Sequence, residues 1–199
     1  MSETQEEEMR SNRVEENTRR RDGGPWAKVW IIVLMSLLLV VPSLSGKKAA
    51  AASLIQRGSK VPNFELPVVG GGKLKLQEEL GKVPLLLLYW SLYCDTCQEE
   101  MPKIQKMVER LGPSHVKVLA INGDGKSSEK MVQGYWKNAH FTFVSLMDEE
   151  TREAFVVERL LGVEKTPAAV VVDRQGMVQL AQEGKLELTA LQESIQKAP

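Results

Sequence analysis

The chain has 199 residues, 43% of them hydrophobic, and its 26 basic and 26 acidic side chains leave no net charge. That length holds one globular domain plus an extension. The balanced charge offers no basic excess to neutralise phosphates, so a nucleic-acid partner is not expected.

Residues 1–25 are almost wholly polar, pass from Glu6-Glu7-Glu8 to Arg19-Arg20-Arg21 and lack apolar periodicity, so they are expected to be a disordered cytoplasmic tail. Residues 26–45 are strongly apolar, interrupted mainly by Lys28, Ser36, Pro42 and Ser43. At about 1.5 Å per residue such a run spans a hydrocarbon core of about 30 Å. Trp26 and Trp30 would sit at one interface. A cleaved signal peptide is the alternative, because Ala49 to Ser53 supplies small residues downstream. The long acidic leader, and Lys47 and Lys48 ahead of those alanines, favour an uncleaved transmembrane anchor. The basic cluster from Arg19 to Lys28 keeps the amino terminus in the cytoplasm. The expected location is therefore the cell membrane, single-pass, with the bulk of the chain in the periplasm or otherwise outside the cytoplasm, where disulfide chemistry is at home.

Residues 46–57 read as a tether and 58–199 as the globular domain. Asn63 to Leu66 and Lys73 to Leu76 alternate with period two around Gly70-Gly71-Gly72, a hairpin pattern. Gln77 to Leu80 reads as one helical turn closed by Gly81. Pro84 to Trp90 is a continuous apolar run, as in a central strand buried on both faces. Thr96 to Leu111 carries Met101, Ile104, Met107, Val108 and Leu111 on one helical stripe, with Gly112-Pro113 as the stop and Pro102 expected to kink it. Val116 to Ile121 is a second buried strand, ended by the turn residues Asn122-Gly123-Asp124-Gly125.

Ser127 to Lys137 is expected to be helical and Phe141 to Met147 a strand. Glu149 to Leu161 reads as a helix with Ala154, Phe155, Val157, Leu160 and Leu161 inward and Gly162 as its C-cap. Ala168 to Val172, the turn Asp173-Arg174-Gln175-Gly176 and Met177 to Ala181 form an antiparallel hairpin, and Leu186 to Gln196 closes the chain as an amphipathic helix. Strands alternating with helices, then a hairpin and a helix, specify an α/β sandwich with a mixed sheet.

The chain's two cysteines stand three apart, Cys94 and Cys97, between the buried strand and the first long helix. A helix start offers unpaired N–H groups and partial positive charge, both of which favour a thiolate. Residues i and i+3 share a helix face, so the second sulfur can reach the first. A purely structural bridge is one alternative, although so short a loop removes little unfolded-state entropy. A metal site is the other; zinc normally takes four ligands, and neither His115 nor His140 has ligand spacing to the cysteines. No metal is expected.

The combination of motifs resembles the thioredoxin-like superfamily, specifically the TlpA/ResA-type membrane-anchored thiol–disulfide oxidoreductases. Val61 to Leu66, Leu88 to Cys97, Glu100-Met101-Pro102 and Thr166 to Gly176 carry the resemblance, over about residues 58–197. The dipeptide Asp95-Thr96 departs from the Pro often found between the family's cysteines, and Leu88 from its polar residue. The resemblance implies a thioredoxin-like fold: a mixed central sheet flanked by helices, an N-terminal β-hairpin, an inserted strand and helix between Phe141 and Leu161, and one preceding transmembrane helix.

It also implies roles. Cys94 would be the attacking thiolate and Cys97 the resolving one. Glu100, matching a family acid, would move protons; the alternative is an exposed helix carboxylate. Pro167 matches the family's cis-proline, with Thr166 presenting its backbone to an extended substrate and Trp90 and Tyr93 walling the site. For Trp90, core packing is an equal alternative. The redox-active disulfide is the only cofactor implied. The implied partners are protein thiols and disulfides, including apocytochrome c, and a membrane thiol carrier as electron donor. Asp95, Glu99 and Glu100 crowd the pair with negative charge, which points to a reductant. Rival functions are a copper-binding chaperone using His140, a peroxiredoxin-like thiol peroxidase, for which Leu88 to Tyr93 supplies neither the Thr nor the Pro, and a non-catalytic docking protein.

Overall fold

The computed structural model describes residues 53–152 and 154–199. The expected tail and membrane anchor lie outside the described residues. Among the described residues no helix is long and apolar enough to cross a membrane.

Seven strands and five α-helices follow in the order β1 (Glu65–Pro67), β2 (Lys73–Lys75), α1 (Leu76–Glu79), β3 (Leu85–Trp90), α2 (Asp95–Leu111), β4 (Lys117–Asn122), α3 (Glu129–Ala139), β5 (Val144–Met147), α4 (Val156–Leu161), β6 (Ala168–Val172), β7 (Val178–Glu183) and α5 (Leu188–Lys197) among the described residues. The main sheet has five strands in the order β5-β4-β3-β6-β7. Strands β3, β4 and β5 run parallel, whereas β6 is antiparallel to both β3 and β7. The mixed sheet read from the element order is the one that forms.

All six residues of β3 are buried, as the unbroken apolar run requires of a central strand. Period two splits them between two cores. Leu85, Leu87 and Tyr89 face the layer of the β1–β2 hairpin and α4, through Leu66, Leu74, Val157 and Leu161. Leu86, Leu88 and Trp90 face the layer of α2, α3 and α5, through Met101, Ile104, Val132, Leu191 and Ile195. Burying each such side chain is worth about 1.5–3 kcal/mol. In the hairpin, Gly70, Gly71 and Gly72 all have positive φ, from 84° to 124°, a run that only glycines adopt without strain.

Four expectations need correction. Residues 53–57 are not a free tether end: Leu54 and Ile55 pack on the core, and the Ile55 N–H donates to the Leu161 carbonyl at 2.7 Å. Strand β5 begins at Val144, because Phe141 and Phe143 instead stack on each other at 5.7 Å, with Phe141 against Trp136 at 5.0 Å. Helix α4 begins only at Val156, since the buried Asp148 carboxylate accepts the N–H groups of Val157 and Glu158 at 3.0 and 3.1 Å and fixes the helix start there. Leu160 on that helix faces outward at 37% exposure. Helix α2 holds Pro102 inside it and stops at Gly112 as expected, where φ is 82°.

Candidate active site

Strand β3 ends at Trp90, and the loop Ser91-Leu92-Tyr93 carries the chain to α2. Cys94 is the N-cap of that helix, in an extended conformation (φ −102°, ψ 104°). Its Sγ accepts the backbone N–H of Cys97 at 3.1 Å, filling the place usually taken by a hydroxyl or carboxylate oxygen. Cys94 and Cys97 are joined as a disulfide, their Cα atoms 5.2 Å apart. Cys97 has no exposed surface, while Cys94 is half-buried. Only the outer sulfur is open to an incoming group.

One turn beyond Cys97, Glu100 is buried at 5% exposure, and its Oε2 accepts the Leu186 N–H at 3.1 Å. It is therefore not the exposed helix carboxylate that helical periodicity allowed. Asp95 and Glu99 on the same helix are exposed.

The Thr166–Pro167 bond is cis. Tyr89 pairs with Ala168, the first residue of β6, so Thr166 and Pro167 precede β6 at the end of the sheet where β3 leads toward Cys94. Pro167 is buried and Thr166 half-buried. The two residues assigned to wall the site part company. Tyr93 is 74% exposed next to Cys94, whereas Trp90 has no exposed surface and packs on Tyr135 and Trp136 with ring centroids 5.6 and 5.4 Å away. Trp90 supports the site from beneath. Core packing is the better account of it, because β3 turns it toward α3.

Sequence reasoning treated Asn122 to Asp124 only as a turn. Folded, the turn sits against the active-site loop: the Asp124 carboxylate accepts the Leu92 N–H at 2.7 Å and the Ser91 hydroxyl. No local signal could have marked it, since the partners are more than 30 residues apart. At the same end of the sheet, burial pushes the Tyr89 phenol well up, with the Asp148 charge adding to it. Among the described residues its hydroxyl meets no hydrogen-bond partner of good geometry, although Asp148 is close enough to act on it electrostatically. Burial likewise raises the Asp148 carboxyl, against the backbone N–H groups of Val157, Glu158 and Glu149 that favour its charge.

His140 takes the left-handed C-cap position of α3, with φ 55°. Among the described residues no group of three or more His, Cys, Asp or Glu side chains converges as a metal site would require.

Residues 57–181 match the AhpC/TSA family. The chain is 30% identical to the thioredoxin-like protein YneN of Bacillus subtilis (strain 168) over 126 residues, which cover 63% of this chain and 70% of YneN. It is 25% identical to the thiol-disulfide oxidoreductase ResA of Halalkalibacterium halodurans over 153 residues, 77% of this chain and 82% of that one. Among solved structures, a putative thiol:disulfide interchange protein DsbE from Chlorobium tepidum superposes with a TM-score of 0.57 at 27% identity, covering 71% of this chain and 96% of that one. With its thioredoxin-like fold and its Cys94–Cys97 pair at a helix start, the chain belongs to the AhpC/TSA family and is a thiol–disulfide oxidoreductase of the TlpA/ResA kind.

Proposed function

We propose that this chain is a reductant of protein disulfides, anchored in the cell membrane by residues 26–45 with its redox domain outside the cytoplasm. The observation that supports the direction is the charge around the pair. Asp95 and Glu99 flank the dithiol on the surface of α2, and Glu100 lies buried one turn beyond Cys97. Each carboxylate opposes an ionised thiol. Disfavouring the ionised dithiol favours the disulfide, so electrons leave the pair readily. The Cys97 N–H on Cys94 works the other way, as a single neutral donor against three carboxylates.

In the reduced protein the Cys94 thiolate attacks one sulfur of a substrate disulfide, forming a mixed disulfide and expelling the other substrate sulfur as a thiolate. Cys97 gives up its proton, with Glu100 as the acceptor, and attacks the Cys94 sulfur. The second substrate thiolate leaves, two electrons have passed to the substrate, and Cys94–Cys97 is a disulfide again. Thr166 offers its backbone to an extended substrate segment, and the exposed Tyr93 ring flanks it. The disulfide of apocytochrome c, reduced to the thiols that take haem, is the client and a membrane thiol carrier is the electron donor; the support for both is the likeness to ResA and DsbE proteins.

A Cys97→Ser variant holds the mixed disulfide on Cys94, and identifying the captured protein names the client. The Cys94–Cys97 potential, measured against glutathione, is expected below the roughly −200 to −230 mV of glutaredoxins. A value well above that range would reverse the assigned direction.

A further inference from the structure

The three residues that lead from the sheet to Cys94 have left the strand ladder, so their N–H groups need partners from elsewhere. Asp124, in the loop after β4, meets one of them directly and a second through Ser91. Its Oδ2 accepts the Leu92 N–H at 2.7 Å, and its other carboxylate oxygen accepts the Ser91 hydroxyl. The Ser91 oxygen in turn accepts the Tyr93 N–H at 3.0 Å, which extends the hold to the residue before Cys94.

Asp124 is itself fixed on the far side. The amide of the fully buried Asn122 donates to Oδ2 at 2.8 Å, the Asp124 N–H donates to Asn122 Oδ1 at 3.0 Å, and the Asp124 carbonyl accepts the Ser128 hydroxyl at 3.1 Å. From the helix side, the Gln98 amide donates to the Leu92 carbonyl at 2.7 Å. A buried strand end thus holds a carboxylate, and the carboxylate holds the approach to the reactive sulfur.

We infer that Asp124 is a positioning residue for thiol–disulfide exchange: by clamping Ser91, Leu92 and Tyr93 it presents Cys94 to Cys97 and sets the effective concentration of one thiol toward the other. That concentration is the equilibrium constant for closing the disulfide at the expense of glutathione disulfide, and fixed geometry raises it. Releasing the loop lowers it, making the Cys94–Cys97 disulfide easier to reduce. The inference rests on exchange at this pair and not on the direction of electron flow.

The test is equilibration of full-length wild type, Asp124→Ala, Asp124→Asn and Ser91→Ala in glutathione buffers, with thermal unfolding of each oxidised protein alongside. Asp124→Ala is expected to lower the constant about tenfold, equivalent to about 30 mV upward. Ser91→Ala removes one arm of the clamp and keeps the charge; it is expected to move the constant about threefold the same way, with Asp124→Asn falling between wild type and Asp124→Ala. A Ser91→Ala constant within 1.5-fold of wild type would overturn the inference, whatever the Asp124 variants do, because a shift confined to them would be a charge effect. A fall in melting temperature without a shift in the constant would reduce the clamp to a fold staple and overturn it equally. Should Asp124→Ala not fold, Ser91→Ala carries the test alone. The reductant assignment stands or falls on the wild-type potential, so the two failures are distinguishable.

Discussion

The carboxylate of Glu100 reaches across to the loop before α5 and accepts the Leu186 N–H, 86 positions away in sequence. The acid one turn behind the buried cysteine therefore serves as the backbone partner of a second element. Two separable consequences follow.

Glu100→Ala leaves the Leu186 donor buried without an acceptor, which costs about 1–3 kcal/mol and is read from the urea midpoint. Glu100→Gln keeps an acceptor and should unfold close to wild type. If Glu100 also takes the Cys97 proton, Glu100→Gln slows resolution of the mixed disulfide on the order of 10²-fold. Stopped-flow measurement of that step separates the two roles.

Tyr93 and Trp90 are expected to behave oppositely. Trp90→Ala empties a fully buried site against Tyr135 and Trp136 and should cost about 3–5 kcal/mol. Tyr93→Ala, at an exposed position, should leave the melting temperature nearly unchanged. It should instead raise KM for a protein disulfide several-fold while sparing the reduction of a small disulfide, which an insulin-reduction assay can compare.

Gly123 lies directly under the Tyr89 ring. A Cβ there would overlap the Tyr89 hydroxyl and sit 2.8 Å from two ring carbons. Gly123→Ala should therefore destabilise by about 1–3 kcal/mol, as overpacking does. Adding Tyr89→Phe removes the closest atom and should recover part of the loss, seen as non-additive unfolding free energies.

Glu79 gives the fold a pH-dependent contribution. Burial raises its carboxyl, but Lys117 at 2.6 Å and Lys82 at 3.5 Å outweigh it, and the net shift is downward from the ordinary 4.5. A depressed folded value stabilises above the unfolded value and is lost as pH falls through the folded one. Because Lys117 and Lys82 are partly in water, the gain is small, about 0.5–1 kcal/mol. Glu79→Gln should be less stable than wild type by that amount at pH 7, and the gap should close as pH falls below 4.5. Urea unfolding at neutral and acid pH checks this.

The order of elements could be read from the chain because each rests on neighbours in sequence. Period two in the hairpin, the unbroken run of β3 and the stripe of α2 are local patterns answering to local geometry. The segment from Glu149 to Phe155 defeated that reading. Its composition suits a helix, yet Asp148, held at the end of β5, binds the N–H groups of Val157 and Glu158 and starts α4 late. The burial of Glu100, the inward turn of Trp90 and the grip of Asp124 on Leu92 likewise depend on partners far along the chain.

From the residues alone came the helix-start cysteine pair, the mixed α/β architecture and the expectation of a redox site, because spacing, periodicity and caps act within a few residues. Which carboxylate is enclosed, which of Trp90 and Tyr93 is exposed and what holds the loop before Cys94 were decided only when β3, β4 and β6 came side by side. Burial and long-range hydrogen bonds belong to the packed sheet, and no stretch of chain carries them by itself.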